Sequence, residues 1–167
     1  MIHLIWSIIN GIIVLYFSYL LIGFIIKGKK IFNPQFKTVS IFIMVIGIVQ
    51  IISASNSEKN TNRISITEKY ERKHNSEIKQ VTLEDNWTFD INMLVIYSIE
   101  QDQYIPIESS SNLTGLVSGY VWEFTSINTN NLKVNGKAEF IATGILKWNL
   151  FGITLYKESK TFSGTIE

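Results

Sequence analysis

The chain has no cysteine, two prolines and two histidines in 167 residues. Without cysteine there is no disulfide framework, no thiolate nucleophile and no thiolate metal site. The histidines are His3, beside the amino terminus, and His74, inside a charged stretch. A Ser/His/Asp arrangement or a histidine-ligated zinc site in the second half of the chain is therefore excluded. Acidic residues are missing from the whole first third, because no Asp or Glu precedes Glu58. The basic residues of that third are four lysines, Lys27, Lys29, Lys30 and Lys37, leaving eleven basic against fourteen acidic residues beyond Ala54, a net charge of −3. A mildly acidic region is poorly suited to neutralising phosphates, so no nucleic-acid partner is expected.

What fills the first third is apolar. Residues 4–26 carry no charged side chain, and a helix needs about 20 apolar residues to cross a bilayer. Residues 38–54 form a second, shorter run near the lower limit. Two transmembrane helices in a hairpin are expected, joined by the lysine-bearing segment, and the bilayer is the first expected partner. A cleaved signal peptide fits less well, since no Lys or Arg precedes the first run and a second run follows. Cytoplasmic loops are enriched in Lys and Arg. Lys27, Lys29, Lys30 and Lys37 are thus the topology signal, placing the connecting loop inside and both termini outside, with Trp6 as an aromatic anchor at the outer interface.

Polar and small residues within the two runs concentrate on one stripe of each helix. Ser7, Asn10, Gly11 and Ser18 share a stripe roughly 100° wide on the first. Ser40, Gly47 and Gln50 do so on the second. Such stripes serve helix packing, within the hairpin or between protomers of a homo-oligomer. A path for ions would carry ionisable groups, and these runs have none.

Residues 55–62 are polar and aperiodic, as in a flexible tether. Residues 63–67 alternate and are read as a first strand. Residues 68–79 alternate in charge and include His74, which reads as a solvated residue. The expected division is 1–54 for the membrane hairpin, 55–79 for a charged linker and 80–167 for an all-β domain.

From Val81 onward the apolar period is two. Trp87, Phe89, Ile91, Met93, Val95, Tyr97 and Ile99 alternate with a second face, the strongest strand signal in the chain. Residues 103–108 read as an edge strand because of Pro106. Residues 109–112 read as a loop, and 113–127 as one strand with Gly115 and Gly119 at bulges. Asn135-Gly136 reads as a two-residue hairpin between 132–134 and 137–142. Strands at 145–150 and 153–157 flank a turn at Phe151-Gly152, and 161–166 closes the set. The expectation is seven to nine antiparallel strands in a small barrel or sandwich. Its large core members are expected to be Trp87, Trp122, Trp148, Phe89, Phe124 and Phe140.

Candidate chemistry is sparse. Glu100 and Asp102, with Gln101 and Gln103, lack EF-hand spacing and read as a turn. Gly115 and Gly119 match GxxxG only formally, in strand-like sequence. Asn86-Trp87-Thr88 and Asn112-Leu113-Thr114 are formal glycosylation sequons. The aromatic pairs Tyr120 with Trp122, and Trp148 with Tyr156, mark a possible ligand pocket in the β domain. No catalytic residue, cofactor or metal is expected. The leading expectation is a two-pass protein of the bacterial inner membrane. Its extracytoplasmic β domain is a non-enzymatic module binding a protein, envelope component or apolar ligand. The alternative is an effector whose cytoplasmic β-barrel senses a small ligand such as a cyclic nucleotide and whose spans oligomerise or disrupt the membrane.

Overall fold

The computed structural model describes residues 1–55, 62–67, 76–100, 103–130, 132–133, 136–150 and 152–167. His74, Gln101, Asp102, Asn135 and Phe151 lie outside these residues. Helix α1, Ile2–Lys27, forms where the chain has neither proline nor charge until its last residue. It ends at Gly28, whose φ of 59° suits glycine. A short 3-10 turn follows, and Asn33 caps a second one by accepting from the Gln35 N–H at 3.0 Å, with Pro34 in its first position. Helix α2, Lys37–Ser55, then runs back along α1.

The seam between the helices is small against large. A Cβ on Gly47 would overlap the ring of Phe17. Tyr16 Oη and Ser40 Oγ share a hydrogen bond of 2.7 Å, and Leu20 and Ser40 are buried. Much of the remaining described helix surface is apolar and exposed, including Ile5, Ile12, Leu15, Ile22, Ile25, Val39, Phe42 and Val45.

Two spanning helices were expected, and the structure reduces this to one candidate. Among the described residues, the helical stretch Ile2–Ile31 is long and apolar enough to cross a membrane, whereas the apolar stretch Pro34–Val49, which includes most of α2, is shorter. The reason is length. At 1.5 Å per residue, the 26 residues of α1 cover about 39 Å, more than the roughly 30 Å hydrocarbon layer. The second apolar run starts and ends among polar residues and has no such surplus.

The remainder is two antiparallel sheets. The strands are β1 (Arg63–Ser65), β2 (Ser76–Asp85), β3 (Phe89–Glu100), β4 (Gln103–Gly115), β5 (Tyr120–Thr129), β6 (Leu132–Lys133), β7 (Ala138–Leu150) and β8 (Ile153–Ile166). One sheet is ordered β1-β4-β3-β2, with β6 also paired to β4, and the other is β5-β7-β8. Phe89, Ile91, Met93, Val95 and Tyr97 of β3 face Tyr120, Trp122 and Phe124 of β5 and Phe140, Ala142 and Leu146 of β7. Each fully buried large side chain of this kind contributes about 1.5–3 kcal/mol. The two sheets are also tied at both edges. Asn62, just before β1, donates to Trp122 O at 2.9 Å and accepts from Phe124 N at 3.2 Å. Lys160 of β8 pairs with Glu84 of β2 at 2.8 Å.

Several strand boundaries differ from the sequence reading. Residues 109–112 are not a loop but the middle of β4, paired with β3 on one side and, at Ser109 and Ser110, with β1 on the other. Buried Ser109 and Ser111 donate to the carbonyl oxygens of Leu94 and Asn92 at 2.9 and 2.8 Å, which removes the cost of burying hydroxyls. Pro106 is not at an edge either; it sits at a register shift, where β4 carries one more residue than β3. The stretch 113–127 is two strands, separated by a turn between Gly115 (φ 102°) and Gly119 (φ 82°). The pairing shown for β6 among the described residues is with β4, and Asn135 of the expected hairpin lies outside them.

Candidate functional site

Strand register puts three connections at one end of the sandwich: residues 86–88 between β2 and β3, 116–119 between β4 and β5, and the one containing Gly152 between β7 and β8. The N-terminal half of α1 lies against this end. Trp6 Nε1 donates to Gly119 O at 3.1 Å, and Ser7 Oγ donates to Leu116 O at 3.1 Å. A Cβ on Gly119 would overlap Asn10 and Trp6, so glycine permits the close approach as well as the turn.

Aromatic rings fill the junction. Trp148 touches four of them, with centroid distances of 5.0 Å to His3, 5.8 Å to Trp6, 5.3 Å to Tyr120 and 6.0 Å to Tyr156. The Tyr120 and Tyr156 contacts are edge-to-face, at 75° and 84°, a preferred geometry for aromatic pairs. His3 stands edge-on to Phe89 at 5.1 Å. The Tyr120 hydroxyl donates to the His3 carbonyl oxygen at 3.2 Å, and His3 Nδ1 lies 3.2 Å from the same hydroxyl. Both contacts are satisfied when Nδ1 carries the proton and donates to the phenol oxygen. Burial, with Glu158 second, pushes the Tyr120 phenol well above its ordinary value, so it stays neutral. Two buried polar atoms here, Trp148 Nε1 and Asn149 Oδ1, have no hydrogen-bond partner among the described residues.

Two open grooves flank the junction. One, of about 430 Å³, is walled by Met1, His3, Leu4, Asn86, Trp87 and Thr88. The other, of about 590 Å³, runs between Ile2, His3, Ile5, Trp6 and Ile9 of α1 and Trp148, Tyr156 and Glu158 of the sandwich. Each has helix on one side and sheet on the other. No group of three or more His, Cys, Asp or Glu among the described residues could hold a metal ion.

The residues singled out from sequence divide as follows. Tyr120, Trp148 and Tyr156 come together at the junction. Trp122 is apart from them, deep between the sheets, where Nε1 donates to Ser111 Oγ at 2.9 Å and the ring lies over Gly144. Among the packing residues, Ser40 and Gly47 lie in the α1–α2 seam. Ser7 and Asn10 face the sandwich instead. Ser18 is bonded to its own helix at Val14 O, 2.9 Å, and Gly11 has nothing close to it. The Gln50 side chain lies outside the described part. Lys27, Lys29, Lys30 and Lys37 all sit in or beside the connection from α1 to α2, at the opposite end of α1 from the sandwich. Trp87 is not in the core but 99% exposed, because β2 and β3 stop on either side of it.

Sequence reasoning missed His3 and Gly119 as junction residues. One signal was present: residues 86–88, 115–122 and 148–156 contain no charged side chain, whereas Lys137, Glu139, Glu77 and Lys79 crowd the other end of the strands.

No protein-family model and no curated protein matches the chain. Among solved structures, a two-domain protein of unknown function from Bacteroides thetaiotaomicron is similar, with 17% identity and a TM-score of 0.38. The match covers 54% of this chain and 46% of that one, so this chain spans less than half of that structure's length.

Proposed function

We propose that this protein is a membrane-anchored, non-enzymatic binding module whose β-sandwich stands on the N-terminal end of an apolar helix, on the extracytoplasmic side. The observation that carries this reading is the pair of hydrogen bonds from Trp6 and Ser7 to the β4–β5 turn. They fix the sandwich at one end of α1, while every lysine of the first third lies at the other. The helix surface left over is broadly apolar and exposed, which in water is unfavourable on this scale and in lipid is expected. With the lysine end cytoplasmic, and with the 19 residues of α2, about 28 Å of helix, carrying the chain back across, the sandwich is outside, in a position to hold a protein, an envelope component or an apolar ligand. Its acidic balance disfavours nucleic acid.

The test exploits the absence of cysteine. Ser163→Cys, on the exposed part of β8, is treated in intact cells with a membrane-impermeant maleimide. Labelling before lysis is the expected result. Labelling only after lysis puts the sandwich in the cytoplasm.

One observation favours a second reading, a ligand sensor that acts through the helices. Both grooves have α1 as one wall and the sandwich as the other, so a molecule bound in either would touch both. A cytoplasmic sandwich, together with a thermal shift of the full-length protein in detergent on adding a cyclic nucleotide, would replace the first reading with this one.

A further inference from the structure

We propose that the helix-facing rim of the sandwich is itself a lipid-contacting surface, seated in the headgroup layer and upper acyl region of the bilayer that α1 crosses; this rests on the membrane-anchored reading above. The argument starts from depth. Lys27 is the last residue of α1 and its first charged side chain, so it marks one boundary of the hydrocarbon. Counting back about 20 residues, the length that spans the apolar layer, places the other boundary near Ser7. Ser7 is also where the β4–β5 turn is attached, through Leu116 O. The turn therefore lies at the membrane surface. Both this turn and the β7–β8 connection reach further along the helix, because Ser118, Gly119, Asn149 and Gly152 share a cleft with Asn10 and Val14 of α1. Seven residues of helix from Ser7 to Val14 are about 10 Å, comparable with the 5–10 Å by which interfacial apolar surfaces enter a bilayer.

The side chains at this level have the required chemistry. Leu116 is 59% exposed, Leu155 58% and Trp87 99%, and Val117, Ile153 and Tyr156 are exposed beside them. In water this would be an uncovered apolar edge. At the bilayer surface it extends the exposed apolar face of α1, with Glu158 in the groove between them, and Trp87 and Tyr156 are of the type that concentrates at membrane interfaces. The band carries no charge between Asp85 and Asp90, between Glu108 and Glu123, or between Lys147 and Lys157. Several backbone N–H groups at this depth are paired: Leu116 N donates to Thr88 O at 2.7 Å, Tyr120 N to Val117 O at 2.9 Å and Asn149 N to Gly119 O at 2.7 Å. That pairing is what a loop needs before it can leave water.

Full-length single-cysteine proteins, Leu116→Cys, Val117→Cys and Leu155→Cys, are labelled with nitrobenzoxadiazole. They are reconstituted into phosphatidylcholine–phosphatidylglycerol vesicles with or without nitroxide-labelled lipid. Leu15→Cys in mid-helix and Ser163→Cys at the far end of β8 are references. The expected result is several-fold stronger lipid-nitroxide quenching at 116, 117 and 155 than at 163, with shielding from aqueous iodide. Iodide quenching at the rim equal to that at 163 overturns the proposal. So does shielding from iodide without lipid quenching, which would mean a second copy or another protein covers the rim. If Leu15→Cys is quenched by lipid and the rim is not, this inference alone fails; if Leu15→Cys is not quenched, the anchor reading fails with it. The native side chain gives a second measurement. Emission lost in Trp87→Phe relative to the parent should be quenched by brominated lipid, and a Trp87 component insensitive to it counts against the rim.

Discussion

The indole of Trp6, in the second turn of α1, donates its N–H to the carbonyl oxygen of Gly119 at 3.1 Å, across 113 residues of chain. The helix and the sandwich are joined there, and the account predicts that breaking this bond loosens one from the other. Trp6→Phe keeps a ring against Trp148 and removes the donor, which should cost about 1 kcal/mol, whereas Trp6→Ala also removes the packing and should cost about 3 kcal/mol or more. Amide hydrogen exchange in detergent micelles should show faster exchange at Tyr120 and Asn149, whose N–H groups are held in the same turn network. Unchanged exchange in Trp6→Ala would mean the contact does not hold the domain.

Ser111 links the two sheets in a relay: Trp122 Nε1 donates to its hydroxyl at 2.9 Å, and the hydroxyl donates to Asn92 O at 2.8 Å. Ser111→Ala strands a buried indole N–H, so stability should fall by about 1–3 kcal/mol. A lower urea midpoint with an unchanged slope checks it.

Gly11 and Gly47 of the helices are predicted to behave oppositely. A side chain on Gly47 meets the Phe17 ring, while one on Gly11 meets nothing within 4 Å. Gly47→Val should force the helices apart and lower the thermal midpoint in micelles, at about 1–3 kcal/mol for overpacking. Gly11→Ala should be neutral or slightly stabilising, since alanine is the better helix former. Equal effects at the two sites would remove the seam from the account.

Alkaline pH should weaken the fold through its buried phenols. Burial raises Tyr120, with Glu158 adding to it, and burial raises Tyr97. A group whose folded pKa lies above its unfolded one stabilises the fold fully below the unfolded value. It loses that contribution as pH rises through the folded value. Stability should therefore decline above about pH 10, the ordinary tyrosine range. In Tyr120→Phe the decline should be shallower, with the hydrogen bond to His3 O already lost at neutral pH. A parent profile that is flat to the onset of general base denaturation would contradict the assignment.

The sequence made the helix and the central core legible and the junction illegible, for physical reasons. Residues 4–26 have no charge, so α1 needs no partner to be read. Phe89 to Tyr97 alternate on a strict period of two, and those inward side chains are the buried ones. The serines of β4 misled because their hydroxyls look like loop chemistry, and only the facing carbonyls of β3 show that they are satisfied when buried. Trp87 misled because its position continues the alternation of β3 past the point where pairing stops. In sequence Ser7 and Asn10 look like helix–helix residues, since a polar stripe on an apolar helix does not say whether its partner is a helix or a turn. His3, Trp6, Tyr120 and Trp148 meet only after the chain has built both sheets, and no local pattern reports a contact of that range.

The central claim is that the sandwich and the lysine-bearing connection lie at opposite ends of a helix that crosses a membrane. Single-cysteine proteins Lys29→Cys and Ser163→Cys, reconstituted with one orientation into sealed vesicles, test it most directly with an impermeant maleimide before and after detergent. The account predicts that one position labels only from outside and the other only after the vesicles are opened. Labelling of both positions from the same side would contradict it.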